Sequence, residues 1–295
     1  MRVLLTGASG FIGKPVLKKL TESGFSVLAI TRNLENKQST EKVNWIKANL
    51  SDLSNIYHEL LKFQPDVLIH LAWDRIPDFS LNSSQENLNL SINLIDLVIK
   101  IGTLKKIIVA GSCFEIENKN GLCLAECKIK PENYFTWAKI SLFNWLKFEC
   151  QQKDIDFSWM RIFYAYGPSQ RKDALIPSII SNLKNRTTPV IKFPNNLNDF
   201  IHVNDIATAI NNAVKYKTYK QIYNLGSGHP TKILDIYEII KNNILGAGSN
   251  SEIDGVISYK TEMNFFADIS NTCVDLDWKP NVSINTGLKF LCANI

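Results

Sequence analysis

Three glycines near the start of the chain could hold a phosphate. Residues 3–13 read VLLTGASGFIG, so Gly7, Gly10 and Gly13 are spaced GxxGxxG. A short apolar run precedes them and a helical pattern follows, which is the setting a dinucleotide-binding loop needs. Gly7 permits a tight turn, Gly10 lets backbone approach a pyrophosphate, and Gly13 lets the helix lie close to the strand. Ser9, Phe11 and Ile12 complete the loop, and the pyrophosphate would sit at the positive end of the helix. The second apolar run ends Ile30-Thr31-Arg32-Asn33, with no carboxylate to bind the adenosine ribose hydroxyls. Arg32 suits a 2′-phosphate instead. The expected cofactor is therefore NADP(H), with NAD(H) the alternative.

These residues need a scaffold, and the apolar pattern supplies one. Val3-Leu4-Leu5, Val27 to Ile30, Val67-Leu68-Ile69 and Ile107-Ile108-Val109 are short continuous runs that suit strands buried on both faces. Helical patterns lie between them at Val16 to Leu20, Leu53 to Leu61 and Leu88 to Ile99. Phe157 to Phe163 and Tyr223 to Gly226 read as later strands. The alternation predicts an α/β fold, a doubly wound parallel Rossmann sheet with a smaller C-terminal substrate-binding lobe. Residues 1–165, with 200–225, are assigned to the Rossmann domain, and 166–199 with 226–295 to the lobe.

The chain has 295 residues, 45% hydrophobic and 21% charged, and a net charge of +5. That composition excludes a disordered or collagen-like protein. No long basic block is present, which argues against a nucleic-acid partner. No apolar run approaches the length of a membrane span, and the N-terminus does not read as a signal peptide. Six scattered cysteines form no CxxC pair, so no metal site is expected, and free thiols fit a cytoplasmic protein.

Seven segments in order give the chain a resemblance to the extended short-chain dehydrogenase/reductases, the NAD-dependent epimerase/dehydratase group that modifies nucleotide sugars. They are TGASGFIG at 6–13, DVLIHLAW at 66–73, ENLNLSINLIDL at 86–97, RIFYAYGP at 161–168, DFIHVNDIA at 199–207, YNLGSG at 223–228 and LDWKP at 276–280. The resemblance places Asn49 and Leu50 at the adenine, with Asn49 in place of the usual acid. It lines the cofactor path with Leu71 and Ala72, puts Asn87 near the nicotinamide, and makes Ser112 the catalytic hydroxyl.

The family's catalytic pair is Tyr-x-x-x-Lys, a spacing that sets both side chains on one helix face. Lys139 is present, but Phe135 stands where the tyrosine belongs. Phenylalanine has no proton to exchange. Three readings remain open. Tyr134, one residue earlier, replaces the missing phenol; or Ser112, Glu115, Tyr164 or a water carries the proton; or the protein binds cofactor without redox chemistry.

On the substrate side, Glu115, Tyr164 and Arg171 are the candidate contacts. Two arginines that grip the diphosphate in many relatives are absent, since Asn198 precedes Asp199 and Lys260 is the nearest cation to the second position. Arg171, Lys172, Lys192 and Lys260 could supply the charge. His202 reads as structural, while Trp73 and Trp137 flank the site and either cover a sugar or base or are simply buried. The expected function is reduction of a 4-keto-6-deoxy sugar nucleotide, with epimerisation and non-catalytic binding as alternatives. The resemblance also implies a homodimer, joined through the helix from Leu88 and the helix carrying Lys139.

Overall fold

The computed structural model describes residues 1–246 and 263–294. In chain order the strands are β1 (Arg2–Thr6), β2 (Ser26–Thr31), β3 (Val43–Lys47), β4 (Val67–His70), β5 (Lys106–Ser112), β6 (Asn120–Cys123), β7 (Asp156–Ile162), β8 (Tyr164–Tyr166), β9 (Leu197–Asn198), β10 (Phe200–His202), β11 (Ile222–Leu225), β12 (Thr231–Lys232) and β13 (Asn264–Ala267). The helices are α1 (Gly13–Glu22), α2 (Ser54–Phe63), α3 (Leu81–Lys100), α4 (Tyr134–Lys153), α5 (Leu175–Lys184), α6 (Val203–Lys215), α7 (Ile233–Leu245), α8 (Ser270–Asp275) and α9 (Ile284–Asn294).

Seven strands form one parallel sheet in the order β11-β7-β5-β4-β1-β2-β3. The chain runs outward from β1 to β3, then returns to place β4 on the other side of β1. That reversal opens a crevice at the carboxyl ends of β1 and β4, where ligands bind in such sheets. One sheet face buries Val3, Leu5, Val27 and Ile69 against Val16 and Leu20 of α1 and Ile206 and Ile210 of α6. The other buries Leu4, Leu28, Leu68 and Ile107 against α2, α3 and α4. This two-sided burial is why the strands read as unbroken apolar runs. A separate core gathers Ile176, Ile180, Ile236, Ile240 and Leu288 from α5, α7 and α9. Beside it lies a four-stranded sheet, β12-β9-β13-β6.

Several elements differ from the sequence reading. β3 was not expected: at the sheet edge only Val43 is buried, Trp45 and Ile46 are half-buried, and Asn44 and Lys47 are exposed, so no continuous apolar run forms. α3 begins at Leu81, about two turns earlier than its apolar pattern from Leu88, capped by Ser80, which accepts the Ser83 N–H. Its first two turns bury Ser83, Ser84 and Asn87, polar residues that hydrophobic periodicity cannot register. β6, from the segment assigned to the Rossmann domain, pairs with β13 in the smaller sheet.

Candidate functional site

The glycine loop lies in the crevice beyond β1. Gly7 adopts φ +70°, and a Cβ there would lie 2.8 Å from the Ala72 nitrogen and the Leu71 carbonyl carbon. Only glycine allows both the left-handed turn and that approach to the end of β4. A Cβ on Gly13 would overlap the Gly7 carbonyl oxygen. Gly10 is open on its outer side, where a Cβ would meet only the Gly7 oxygen at 3.1 Å. α1 starts with no side-chain cap; the Lys14 and Val16 N–H groups bond the Gly10 and Ile12 carbonyls and Pro15 has none, which leaves the Gly13 N–H at the helix start to meet an anion. This cradle fits a dinucleotide pyrophosphate: the backbone is bare where phosphate would approach and tight where the fold must hold it. Ser9 is exposed, and Phe11 and Ile12 are half-buried along the same loop.

A buried hydrogen-bond chain fixes the strands beneath. Ser91 donates its only hydroxyl proton to the Asn87 carbonyl at 2.7 Å, so its oxygen accepts from His70 Nε2 at 3.0 Å. His70 Nδ1 then accepts from the Thr6 hydroxyl at 2.8 Å, and that hydroxyl oxygen accepts the Ala72 N–H. Burial holds the His70 pKa down to about 3, so the ring is neutral. Sequence reasoning assigned His70 no role, although it lies inside DVLIHLAW.

At the adenosine end, Arg32 is not free. It makes a bidentate pair with Asp74, Nη1 to Oδ2 at 2.7 Å and Nη2 to Oδ1 at 3.2 Å. Asn49 is exposed and its side chain accepts the Ser51 N–H, while Leu50 packs toward the second core. Leu71 and Ala72 line the crevice against Gly7. Asn87 directs its amide to protein backbone: it accepts the Asp74 N–H and donates to the Asp74 and Ser83 carbonyls. Its observed part is to hold the segment after β4.

At the opposite end of the crevice, Lys139 is 5% exposed. Its ammonium donates to the Ala110 carbonyl at 2.8 Å and lies 3.9 Å from the Trp73 ring centroid. Burial lowers the pKa of this amine to about 7, and the nearby Glu115 carboxyl works against the shift. Phe135 stacks on Phe79 at 4.9 Å and meets the Trp73 ring edge-on at 5.6 Å. The place of the tyrosine is thus filled by a three-ring cluster. Tyr134 lies about 100° around the helix, as its regular turn requires. It is 51% exposed, on the face that also carries Trp137 and Phe148. Phe79 has no counterpart in the sequence reading, since nothing in its spacing ties it to position 135.

Ser112 accepts the Phe114 N–H at 3.2 Å, which leaves its own proton free to donate. Glu115 departs from the expected substrate contact. It is 2% exposed and points inward, accepting the Ser112 N–H at 2.7 Å and the Trp159 indole N–H at 2.9 Å. The fully buried Arg161 lies 3.8 Å away, and a buried guanidinium requires such a carboxylate. Tyr164 is half-buried in an aromatic wall with Phe114, Phe200 and Phe265 at 5.6–5.9 Å. Burial pushes its phenol pKa upward, so it stays protonated at neutral pH.

Arg171 pairs with Asp173 at 3.0 Å near the start of α5. Asn198 is buried and its Oδ1 has no hydrogen-bond partner among the described residues. Asp199 accepts from the Ser227 and Gly228 N–H groups and from the Ala267 N–H, tying the late loops to β10. His202 caps α6, accepting the Asn204 N–H. Lys260 lies outside the described residues. None of the six cysteines forms a disulfide, and no metal-holding group of His, Cys, Asp or Glu occurs among the described residues. No helix among them is long and apolar enough to cross a membrane.

Two predictions arise from this end of the site. Lys139 has a folded pKa near 7 against 10.5 unfolded, so the unfolded chain binds the extra proton between those values. Its burial therefore costs stability at and below neutral pH, and that cost fades as pH rises toward 10.5. Lys139→Met is expected to raise stability at pH 7 by on the order of a few kcal/mol, with a smaller gain at pH 9.5. Thermal unfolding at the two pH values reads the difference; an equal gain at both would contradict it. Phe135→Tyr places a hydroxyl among apolar rings. It is expected to cost about 1–3 kcal/mol and to leave turnover within threefold of wild type. A rise of about a hundredfold, the scale of a restored acid–base group, would show that the site still awaits its tyrosine.

Comparison with known proteins places these features. The model of the NAD dependent epimerase/dehydratase family matches residues 3–226. The chain is 26% identical over 98% of its length to CDP-abequose synthase of Salmonella typhimurium, covering 96% of that protein. It is 24% identical over 99% of its length to dTDP-4-dehydro-6-deoxyglucose reductase of Escherichia coli, covering 97% of that protein. Among solved structures, UDP-glucose 4-epimerase of Thermotoga maritima with UDP-glucose superposes with a TM-score of 0.87 at 21% identity, covering 99% of this chain and 98% of that one.

Proposed function

The chain belongs to the NAD dependent epimerase/dehydratase family, and from that premise we propose that it reduces a 4-keto-6-deoxy sugar nucleotide at the expense of a reduced nicotinamide dinucleotide. The observation that carries this reading is the aromatic cluster at position 135, which leaves Lys139 and Ser112 without a phenol between them. Epimerisation and dehydration in this family begin by oxidising a sugar alcohol, so a base must take its proton. Ketone reduction begins from the carbonyl and needs a donor, and Ser112 has a proton to donate. A bound reduced nicotinamide would supply the hydride. Ser112 would hydrogen-bond the carbonyl oxygen and pass its proton to it as charge develops, its own hydroxyl being restored by a proton from water. Lys139 holds the positive end of the site at the edge of β5. The wall of Tyr164, Phe114, Phe200 and Phe265 offers an apolar surface that suits a C6 methyl better than a hydroxymethyl.

The names of the two curated relatives, a CDP-sugar synthase and a 4-dehydro-6-deoxy sugar reductase, support the substrate class. The argument for NADP(H) required a free Arg32, and Asp74 occupies that guanidinium. Arg171, paired with Asp173, and the exposed Lys172 and Lys192 remain the candidates for the diphosphate. The exposed Tyr134, Trp137 and Phe148 face of α4, packed beside α3, supports a homodimer joined through these two helices. The test is oxidation of NADH and NADPH against a panel of 4-keto-6-deoxy sugar nucleotides with different bases. One mole of cofactor consumed per mole of sugar is expected for at least one member. Tight cofactor binding without turnover of any member would favour the non-catalytic reading.

A further inference from the structure

Arg32 and Asp74 come from strands that do not touch. Arg32 directly follows β2, and Asp74 stands four residues beyond β4, with β1 between the two strands. Their paired contacts of 2.7 and 3.2 Å therefore bridge the carboxyl end of β1, beside the turn at Gly7. The side chains remain 69% and 42% exposed. A pair so exposed adds little to stability. Its support is nonetheless extensive. The buried Asn87 takes the Asp74 N–H at 2.7 Å, returns a bond to the Asp74 carbonyl at 3.2 Å, and is itself anchored to the Ser83 carbonyl at 2.8 Å. The carboxylate thus starts from a fixed peptide beside the cradle.

We propose that Asp74 sets which dinucleotide the cradle accepts, favouring NAD(H) over NADP(H) by holding Arg32. This rests on the reading of the glycine loop as a dinucleotide site. The adenosine ribose lies at the end of the second strand in this fold. A 2′-phosphate arriving there brings nearly two negative charges. It meets the Asp74 carboxylate and finds the guanidinium fork already filled. A 2′-hydroxyl brings no charge and donates to the same carboxylate, which takes the place of the acid missing from β2. Arg32, which in the sequence suggests a 2′-phosphate ligand, is one half of a pair that disfavours it.

The test is equilibrium binding of NADH and NADPH, by calorimetry, to the wild type, to Asp74→Asn, and to the double variant Asp74→Asn with Arg32→Ala. Wild type is expected to bind NADH at least tenfold more tightly than NADPH. Asp74→Asn should tighten NADPH tenfold or more and shift NADH less than fivefold. The double variant should lose the NADPH gain, because that gain needs the released guanidinium. Wild type binding NADPH as tightly as NADH overturns the proposal, as does an unchanged NADPH affinity in Asp74→Asn. Failure of both nucleotides to bind wild type would overturn the dinucleotide reading itself, and this proposal with it.

Discussion

A Gly13→Ala protein is expected to bind NADH at least a hundredfold more weakly than the wild type. The added Cβ would overlap the Gly7 carbonyl oxygen and fall 2.7 Å from the Gly7 carbonyl carbon and 2.8 Å from the Ala8 Cα. All three atoms are backbone, so no side chain can swing away. Either the turn at Gly7 or the start of α1 must move, and both form the surface that meets the pyrophosphate. Gly7 cannot move toward the sheet, because it already lies against Leu71 and Ala72. Gly10→Ala separates binding from folding. Its Cβ meets only one atom, at 3.1 Å, and projects to the open side. That variant should lose far less in melting temperature than Gly13→Ala and still weaken NADH. Calorimetric titration beside thermal unfolding checks both; wild-type affinity in Gly13→Ala would remove the glycine loop from the binding site.

Ser112→Ala is expected to lower kcat by about 10²–10⁴, the range for a lost acid–base group, with KM changed less than threefold. Ser112 ends β5 where the strand meets a short 3-10 turn at Cys113–Glu115. Its oxygen is held by the Phe114 N–H and its backbone N–H by Glu115, so the hydroxyl is oriented from both sides. The fold should survive the change, since Ala keeps the backbone bond to Glu115. Ser112→Thr retains a hydroxyl on the same backbone and should recover much of the rate. Steady-state kinetics on the three proteins reads this; full turnover in Ser112→Ala would move the proton to a water or to Tyr134.

The strands that carry the site were legible because both faces of each are buried. Leu4 and Leu5 face opposite cores, and the run Val3-Leu4-Leu5 records that directly. The glycine loop was legible because its backbone geometry at Gly7 and Gly13 excludes a side chain. The surroundings of Lys139 were not. Trp73, Phe79 and Phe135 meet from three segments, and only the fold brings a residue after β4 onto a ring at the start of α4. Glu115 misled for a related reason. It stands three residues from Ser112 in sequence, yet the buried Arg161 on the neighbouring β7 turns it inward. Asp74 had no signal of its own, since its role depends on a partner 42 positions earlier.

The central claim is net reduction at the sugar carbonyl. It is tested most directly with NADH and NADPH dideuterated at the nicotinamide C4, incubated with the purified protein and the 4-keto-6-deoxy sugar nucleotides. The account predicts one deuterium at the former carbonyl carbon of the product, with one cofactor oxidised for each sugar converted. Sugar converted with no deuterium gained and no cofactor consumed would contradict it and point to proton exchange at a carbon beside the ketone, an epimerisation without net reduction.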